Sequence, residues 1–262
     1  MQYFGFDKPS FGIKTFGFGV NEFSPLDLFA GGKQGIWYDP SDKSTLFQDA
    51  AGTIPVTANG DPVGMMKDKS GNGNHAKQTL SASRPTYQTD GVLHWLAFDG
   101  VDDYLISFEA NLITPLTTFS AVGFLGNEEY AVVQAAGALA NVSGWGEYLT
   151  NDNKISAALR WGSNTSVETA LIPSSKKVVY VSRYGIDVVG LVVNAGAETT
   201  TAHTLGPVQS SEPYSIAARV FGGSVGFYTT LDYYGGIILL IDSVINSHEV
   251  GVFLTTKAGI TL

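Results

Sequence analysis

An all-β sandwich is the fold this sequence predicts, and three features predict it. Turn signals recur about every 8–12 residues and cut the chain into short apolar runs. Composition favours strands and tight turns over helices, with 31 Gly, 15 Phe and 12 Tyr. The 44% apolar share supports a packed core, while charged residues reach only 15%, against about 25% in an ordinary soluble domain. The surface is therefore expected to consist of Ser, Thr, Asn, Gln and Gly. At 262 residues the chain suits one large β domain, since such folds run to about 250 residues.

The elements follow in order. Residues 1–23 are a Gly/aromatic string without helical or strand periodicity, with Tyr3, Phe4, Phe6, Phe11, Phe16 and Phe18 as its anchors. The string cannot bury its rings against itself, which leaves two readings: an arm that docks on another subunit, or one that packs back on its own domain. Ser24-Pro25-Leu26-Asp27 opens a short helix, with Ser24 as N-cap and Pro25 in the first turn, and Gly31-Gly32 ends it. Gly35–Pro40 reads as a strand stopped by proline, and Asn59-Gly60 as a hairpin turn. Leu93–Phe98 is apolar on both faces, so it is expected to be central and covered twice. Further strands are expected at 104–108, 119–124, 130–134, 147–149, 154–161, 178–184, 188–193, 214–219 and 237–241. A final helix begins near Asn246 and Glu249, buries Val250, Phe253 and Leu254, and stops at Gly259.

The net charge of −9 and the scattered Lys and Arg speak against a duplex-binding surface and against anionic membranes. With no cysteine, thiolate metal sites, disulfides and cysteine nucleophiles are ruled out. No apolar run approaches about 18 residues, and the N-terminus lacks the pattern of a secretory signal. The paired carboxylates of a retaining glycosidase must share a strand face. Glu128-Glu129 are adjacent and Asp102-Asp103 fall in a turn, so no enzyme is expected. None of His75, His94, His203 and His248 neighbours a nucleophile elbow.

Asp68-Lys69-Ser70-Gly71-Asn72-Gly73-Asn74-His75-Ala76 and Phe98-Asp99-Gly100-Val101-Asp102-Asp103-Tyr104-Leu105 together resemble the opening of laminin-G-like, concanavalin A-like jelly-roll domains. Tyr234–Asp242 followed by a helix is similar to the closing strand of that family. Ser24–Phe29, Gly35–Asp42, Leu46–Thr53 and Lys257–Leu262 resemble segments of tailed-phage virion structural proteins. The resemblance implies a concanavalin A-like (laminin-G-like) β-sandwich of two antiparallel sheets over 35–262, an attachment arm over 1–34, and a short C-terminal helix. It implies a non-enzymatic virion protein exposed on the particle, as capsid decoration or as a tail or fibre component. Such a protein would be anchored to other virion proteins through residues 1–23 and form homo-oligomers, with assembly in the host cytoplasm. A carbohydrate-binding adhesin module for host recognition, with or without calcium, is the alternative.

Asp68-x-Ser70-x-Asn72-Gly73 places oxygen-bearing side chains as an EF-hand loop does, but Thr79 stands where the bidentate Glu belongs. Because some laminin-G-like domains bind calcium at a sandwich edge, the resemblance implies Asp68, Asn72, Asp102 and Asp103 as ligands. The local alternative is an Asx-type turn bonding nearby amides. For sugar stacking, Trp145 and Trp161 stand in Gly-rich polar surroundings; the alternative for both is the sandwich core. No other cofactor is expected.

Overall fold

The structure, a computed structural model, describes residues 23–261 except 109, 126–130, 138–142, 151, 162, 172–174, 195, 205–206, 211 and 242–246. Side chains at 131, 161, 163–166, 168–171, 221 and 247 are likewise outside the description. The arm residues Tyr3 to Phe18, Glu128-Glu129 and Asn246 lie outside the described residues.

Two large antiparallel sheets face each other as a jelly-roll β-sandwich. In the first, the strands run in the order Thr199–Ala202, Val188–Val193, Lys177–Tyr184, Leu116–Phe124, Thr230–Leu239, His94–Asp99 and Thr86–Thr89, with Gly35–Tyr38 also pairing Thr230–Leu239. In the second, the order is Ser163–Leu171, Lys154–Trp161, Gly144–Leu149, Ala131–Ala136, Tyr214–Ile216, Leu105–Ser107, Ala76–Lys77, Met65–Met66 and Leu46–Phe47. Alternation decides what goes inside. Along Gly144–Leu149, Trp145 and Leu149 enter the inter-sheet core, where they join Tyr38, Phe98, Val122, Tyr180 and Tyr233. Each such side chain contributes about 1.5–3 kcal/mol by leaving water.

The outer face of the first sheet carries a second core. The helix Ser247–Ala258 lays Val250, Leu254 and Ala258 on Phe119, Ala121, Val179 and Ile237, and the 3-10 turn Pro25–Phe29 adds Leu28 and Phe29. The Ser24 hydroxyl caps that turn by accepting the Leu26 amide. Gly259, at φ +66°, ends the helix as expected. Gly35 is required by close approach: a Cβ there would collide with the Ile238 carbonyl of the paired strand. No helix among the described residues is long and apolar enough to cross a membrane.

Three expectations need correction. Asn59-Gly60 forms a turn, but no strand pair flanks it. The Asp61 carboxylate accepts the Thr57 and Ala58 amides, and the Gly60 amide donates to the Tyr87 carbonyl instead. The 214–219 segment is broken at Ala217, which adopts φ +61° while the Ser215 hydroxyl bonds the Ala218 carbonyl. Arg219–Phe221 then pairs with Ser224–Gly226 as a separate hairpin. Finally, His94–Asp99 is not covered on both faces. Leu96 and Phe98 are buried in the sandwich, but Leu93, Trp95 and Ala97 on the other face are only partly buried. The strand lies next to the sheet edge, and the helix packs on more central strands.

Candidate functional site

The residues expected to bind calcium do not converge. Asp68 is buried, and its Oδ1 accepts the Trp37 and Ser70 amides, each at 2.9 Å. Its Oδ2 accepts the Ser70 hydroxyl at 2.7 Å and the Asn74 amide at 3.0 Å. A carboxylate has about four lone-pair positions, and these are all engaged. The Asn72 side chain donates to the Lys33 and Gly35 carbonyls at 3.2 and 3.1 Å. This loop is a staple holding the Gly35–Tyr38 strand, which is the Asx-type alternative. Asp102 and Asp103 instead gather with Asp99, their carboxylates within 4.8 Å of one another. Asp99 Oδ1 accepts the amides of Val101 at 2.8 Å and Asp102 at 3.3 Å. Asp103 Oδ2 accepts the Asp99 amide at 3.1 Å, and the Ser83 hydroxyl donates to Asp102 at 2.9 Å. Burial, reinforced by the Asp99 charge, pushes the Asp103 carboxyl up to about 6. Asp99 is the acid that sequence spacing left out.

Trp145 is fully buried, its ring 5.3 Å from that of Tyr184 and 6.1 Å from that of Tyr214. It offers no stacking face, because its strand position points between the sheets. Trp161 ends the Lys154–Trp161 strand, and its side chain lies outside the described residues.

A different tryptophan borders an open surface. Pairing registers align one outward row across five strands of the first sheet: Lys177 opposite Gly123, Gly123 opposite Asp232, Asp232 opposite Ala97, Ala97 opposite Thr86. Directly opposite residues share a face, so Asp232 stands between two small residues, Gly123 and Ala97. A Cβ at Gly123 would press to 3.3 Å from the Asp232 Cβ, so glycine makes the room Asp232 occupies. The result is an outward row in which a carboxylate stands between two small residues. Two residues along, on the same face, Trp95 lies opposite Gln88, its ring 5.8 Å from that of Tyr234. The Lys177 ammonium lies over the Tyr234 ring at 4.9 Å. Trp95, Gln88, Thr86, Ala97, Asp232 and Lys177 are all partly exposed.

Burial pushes the Asp232 carboxyl up to about 6, against the opposing effects of Lys177 and the Trp95 side chain. At neutral pH it is an ionised acceptor in a partly dry setting, where a hydrogen bond to it is stronger than in water. An apolar ring, a charged acceptor, an amide and a hydroxyl on one sheet face form a surface that can stack the apolar face of a ring and bond its hydroxyls. Sequence reasoning missed it by treating Trp95 as a core residue. The only hint in the sequence is that Trp95 shares its strand face with Ala97 rather than with another large side chain.

Among the described residues, the most deeply buried carboxyl lies elsewhere. Glu147 sits between the sheets, bonded by Thr118, Gln134 and Tyr180, and burial holds it above the ordinary range.

No protein-family profile matches the chain, and no curated protein does. Solved structures do. The binding domain of Paraclostridial Mosquitocidal Protein 1 is similar at 13% identity and a TM-score of 0.54, over 73% of this chain and 49% of that one. The receptor binding domain of botulinum neurotoxin D gives 12% identity and a TM-score of 0.53, over 73% and 50%. Trypanosoma rangeli sialidase in complex with the inhibitor DANA gives 14% identity and a TM-score of 0.54, over 88% and 34%. The chain therefore spans a third to a half of the length of these structures. At such identities the likeness concerns the fold alone: a jelly-roll β-sandwich.

Proposed function

We propose that this chain is a non-catalytic, glycan-binding β-sandwich displayed on the particle of a tailed phage. The observation that carries the binding reading is the outer face of the first sheet, where partly exposed Trp95 stands beside the Asp232 carboxylate. Two of the similar structures are named as binding domains, which supports a recognition role for the fold. The virion setting rests on the resemblance of Ser24–Phe29, Gly35–Asp42, Leu46–Thr53 and Lys257–Leu262 to phage structural proteins. The non-catalytic reading is supported by Glu147, sealed between the sheets, and by the Asp99 turn, whose acids bond their own backbone.

A glycan array with the full chain and with Trp95→Ala tests the binding role. Binding to a defined glycan that is lost in the variant supports it. Binding to no glycan, or equal binding by the variant, overturns it, and turnover of a bound glycan would replace the non-catalytic reading. Deleting residues 1–23 tests the anchor: the deleted protein should fold yet fail to enter particles, and unchanged incorporation refutes it.

A further inference from the structure

The helix Ser247–Ala258 is apolar on two faces. Val250, Leu254 and Ala258, each four residues from the next, lie on the first sheet. The other face carries Glu249, Val252, Phe253 and Thr256, at the three- and four-residue spacing of a helical stripe. With His248, Lys257 and Phe23 these residues line a cleft of about 500 Å³, within the range of about 300–1,000 Å³ typical of small-molecule sites. Val252 is 43% exposed, and Phe23 and Phe253 are partly exposed. An apolar patch of this kind on a surface helix marks a contact surface.

The rings at the cleft already form a series of edge-to-face contacts. Phe253 lies 6.5 Å from Phe23 at 71° and 6.3 Å from Trp37 at 73°. The Lys257 ammonium stands 5.0 Å from the Phe253 ring centroid and is bonded to Asp39 at 3.2 Å and to the Ser41 hydroxyl at 2.5 Å. That cation is engaged within the protein, so what the cleft offers an occupant is apolar surface.

Phe23 lines the cleft and is also the first described residue of the chain. The 22 residues before it hold the six rings of Tyr3, Phe4, Phe6, Phe11, Phe16 and Phe18. The nearest stretch, Thr15-Phe16-Gly17-Phe18-Gly19-Val20-Asn21, carries no charge. Phe18 is five residues from Phe23, a reach of at most about 18 Å, which is about the length of the twelve-residue helix. Phe16 is seven residues away, a reach of at most about 25 Å.

We infer that the cleft beside the C-terminal helix is the seat of Phe16 and Phe18 of the same chain. A ring that enters it extends the series of Trp37, Phe253 and Phe23 and leaves water together with Val252. The short tether makes the contact intramolecular, so a second copy or a separate protein competes at a disadvantage. Seating these rings leaves residues 1–15 to reach outward, over at most about 50 Å of extended chain. The inference stands whether or not that outer part anchors on a phage particle.

Thiol labelling tests this, because the chain has no cysteine. Val252→Cys places a single thiol in the cleft of the full chain. Its rate of reaction with iodoacetamide is then read with and without the paired changes Phe16→Ser and Phe18→Ser. A seat filled about nine-tenths of the time slows labelling about tenfold, since only the open form reacts. Loss of the two rings should therefore speed labelling about tenfold, and dilution should change neither rate. Circular dichroism checks the fold of each variant, and Thr256→Cys, also exposed in the cleft, takes the place of Val252→Cys if the latter does not fold. Equal rates with and without Phe16 and Phe18 overturn the inference. Protection that weakens on dilution assigns the cleft to the arm of a second copy, which also overturns it.

Discussion

The Tyr180 hydroxyl donates a 2.6 Å hydrogen bond to the Glu147 carboxyl, joining the first sheet to the second in the middle of the sandwich. Gln134 donates to the same oxygen at 2.6 Å and accepts from the Tyr214 hydroxyl at 2.7 Å. Thr118 bonds the other carboxyl oxygen. This polar chain has every hydrogen bond made inside an apolar core, so removing one member strands the rest. Glu147→Leu should destabilise the protein by about 3 kcal/mol or more, because three buried donors lose their acceptor. Glu147→Gln keeps an acceptor and a similar shape and should lose less than half of that. Urea denaturation of both variants measures the difference, and equal losses would show that the network adds no stability of its own.

Acidification should first stabilise the protein. Burial holds the Glu147, Asp103 and Asp232 carboxyls above their ordinary values, the latter two at about 6. Each stays protonated in the folded state where the unfolded chain is ionised. Its contribution is therefore full below the unfolded value, 3.8 for aspartate and 4.5 for glutamate, and is lost as pH rises through the folded one. Asp49 acts in the opposite sense. The Thr53 hydroxyl, helped by the Ile54 amide, holds it at about 2, so its contribution is present above 3.8 and lost as pH falls through 2. The melting temperature should rise from pH 7 to about pH 5, and Asp103→Asn should reduce that rise. A melting temperature that falls steadily from pH 7 to pH 5 would contradict this balance.

Trp95 and Trp145 should respond oppositely to truncation. Trp145 is fully buried, and Trp145→Ala should cost about 3–5 kcal/mol, the range for a large aromatic removed from a core. Trp95→Ala removes a partly exposed ring from the outer face of the first sheet and should cost about 1 kcal/mol, with its main effect on glycan binding. Thermal melts paired with binding measurements on both variants check this, and a large stability loss in Trp95→Ala would make that residue structural.

Asp68→Ala should loosen the attachment of the Gly35–Tyr38 strand. It frees the donors of Trp37, Ser70 and Asn74, at about 1–3 kcal/mol for each one left buried and unpaired. A chelator should not reproduce that loss, because all lone-pair positions of Asp68 are engaged within the protein. Hydrogen exchange at the Trp37 amide reads the effect directly, and unchanged protection there would overturn it.

Much of the fold was legible along the chain, because its cues are local. The expected strands at 154–161 and 188–193 match those observed, and Val250 and Leu254 pack as their helical spacing requires. The Asp99 turn also forms as expected, since an aspartate reaches amides two and three residues ahead. Two-residue strands such as Met65–Met66 and Ala76–Lys77 left no pattern to read. They exist because neighbouring strands of the second sheet supply their hydrogen bonds.

Alternation and turn chemistry in the residues themselves determined that this protein is a β-sandwich closed by a helix. Which tryptophan meets water, and which charged groups meet one another, was decided only by the pairing of distant strands. Lys177, Gly123, Asp232, Ala97 and Thr86 share a row through registers linking segments far apart in the chain. A shift of one residue in any register would send that strand's side chains to the opposite face. Such registers come from the packing of the whole core, which no local stretch of sequence contains.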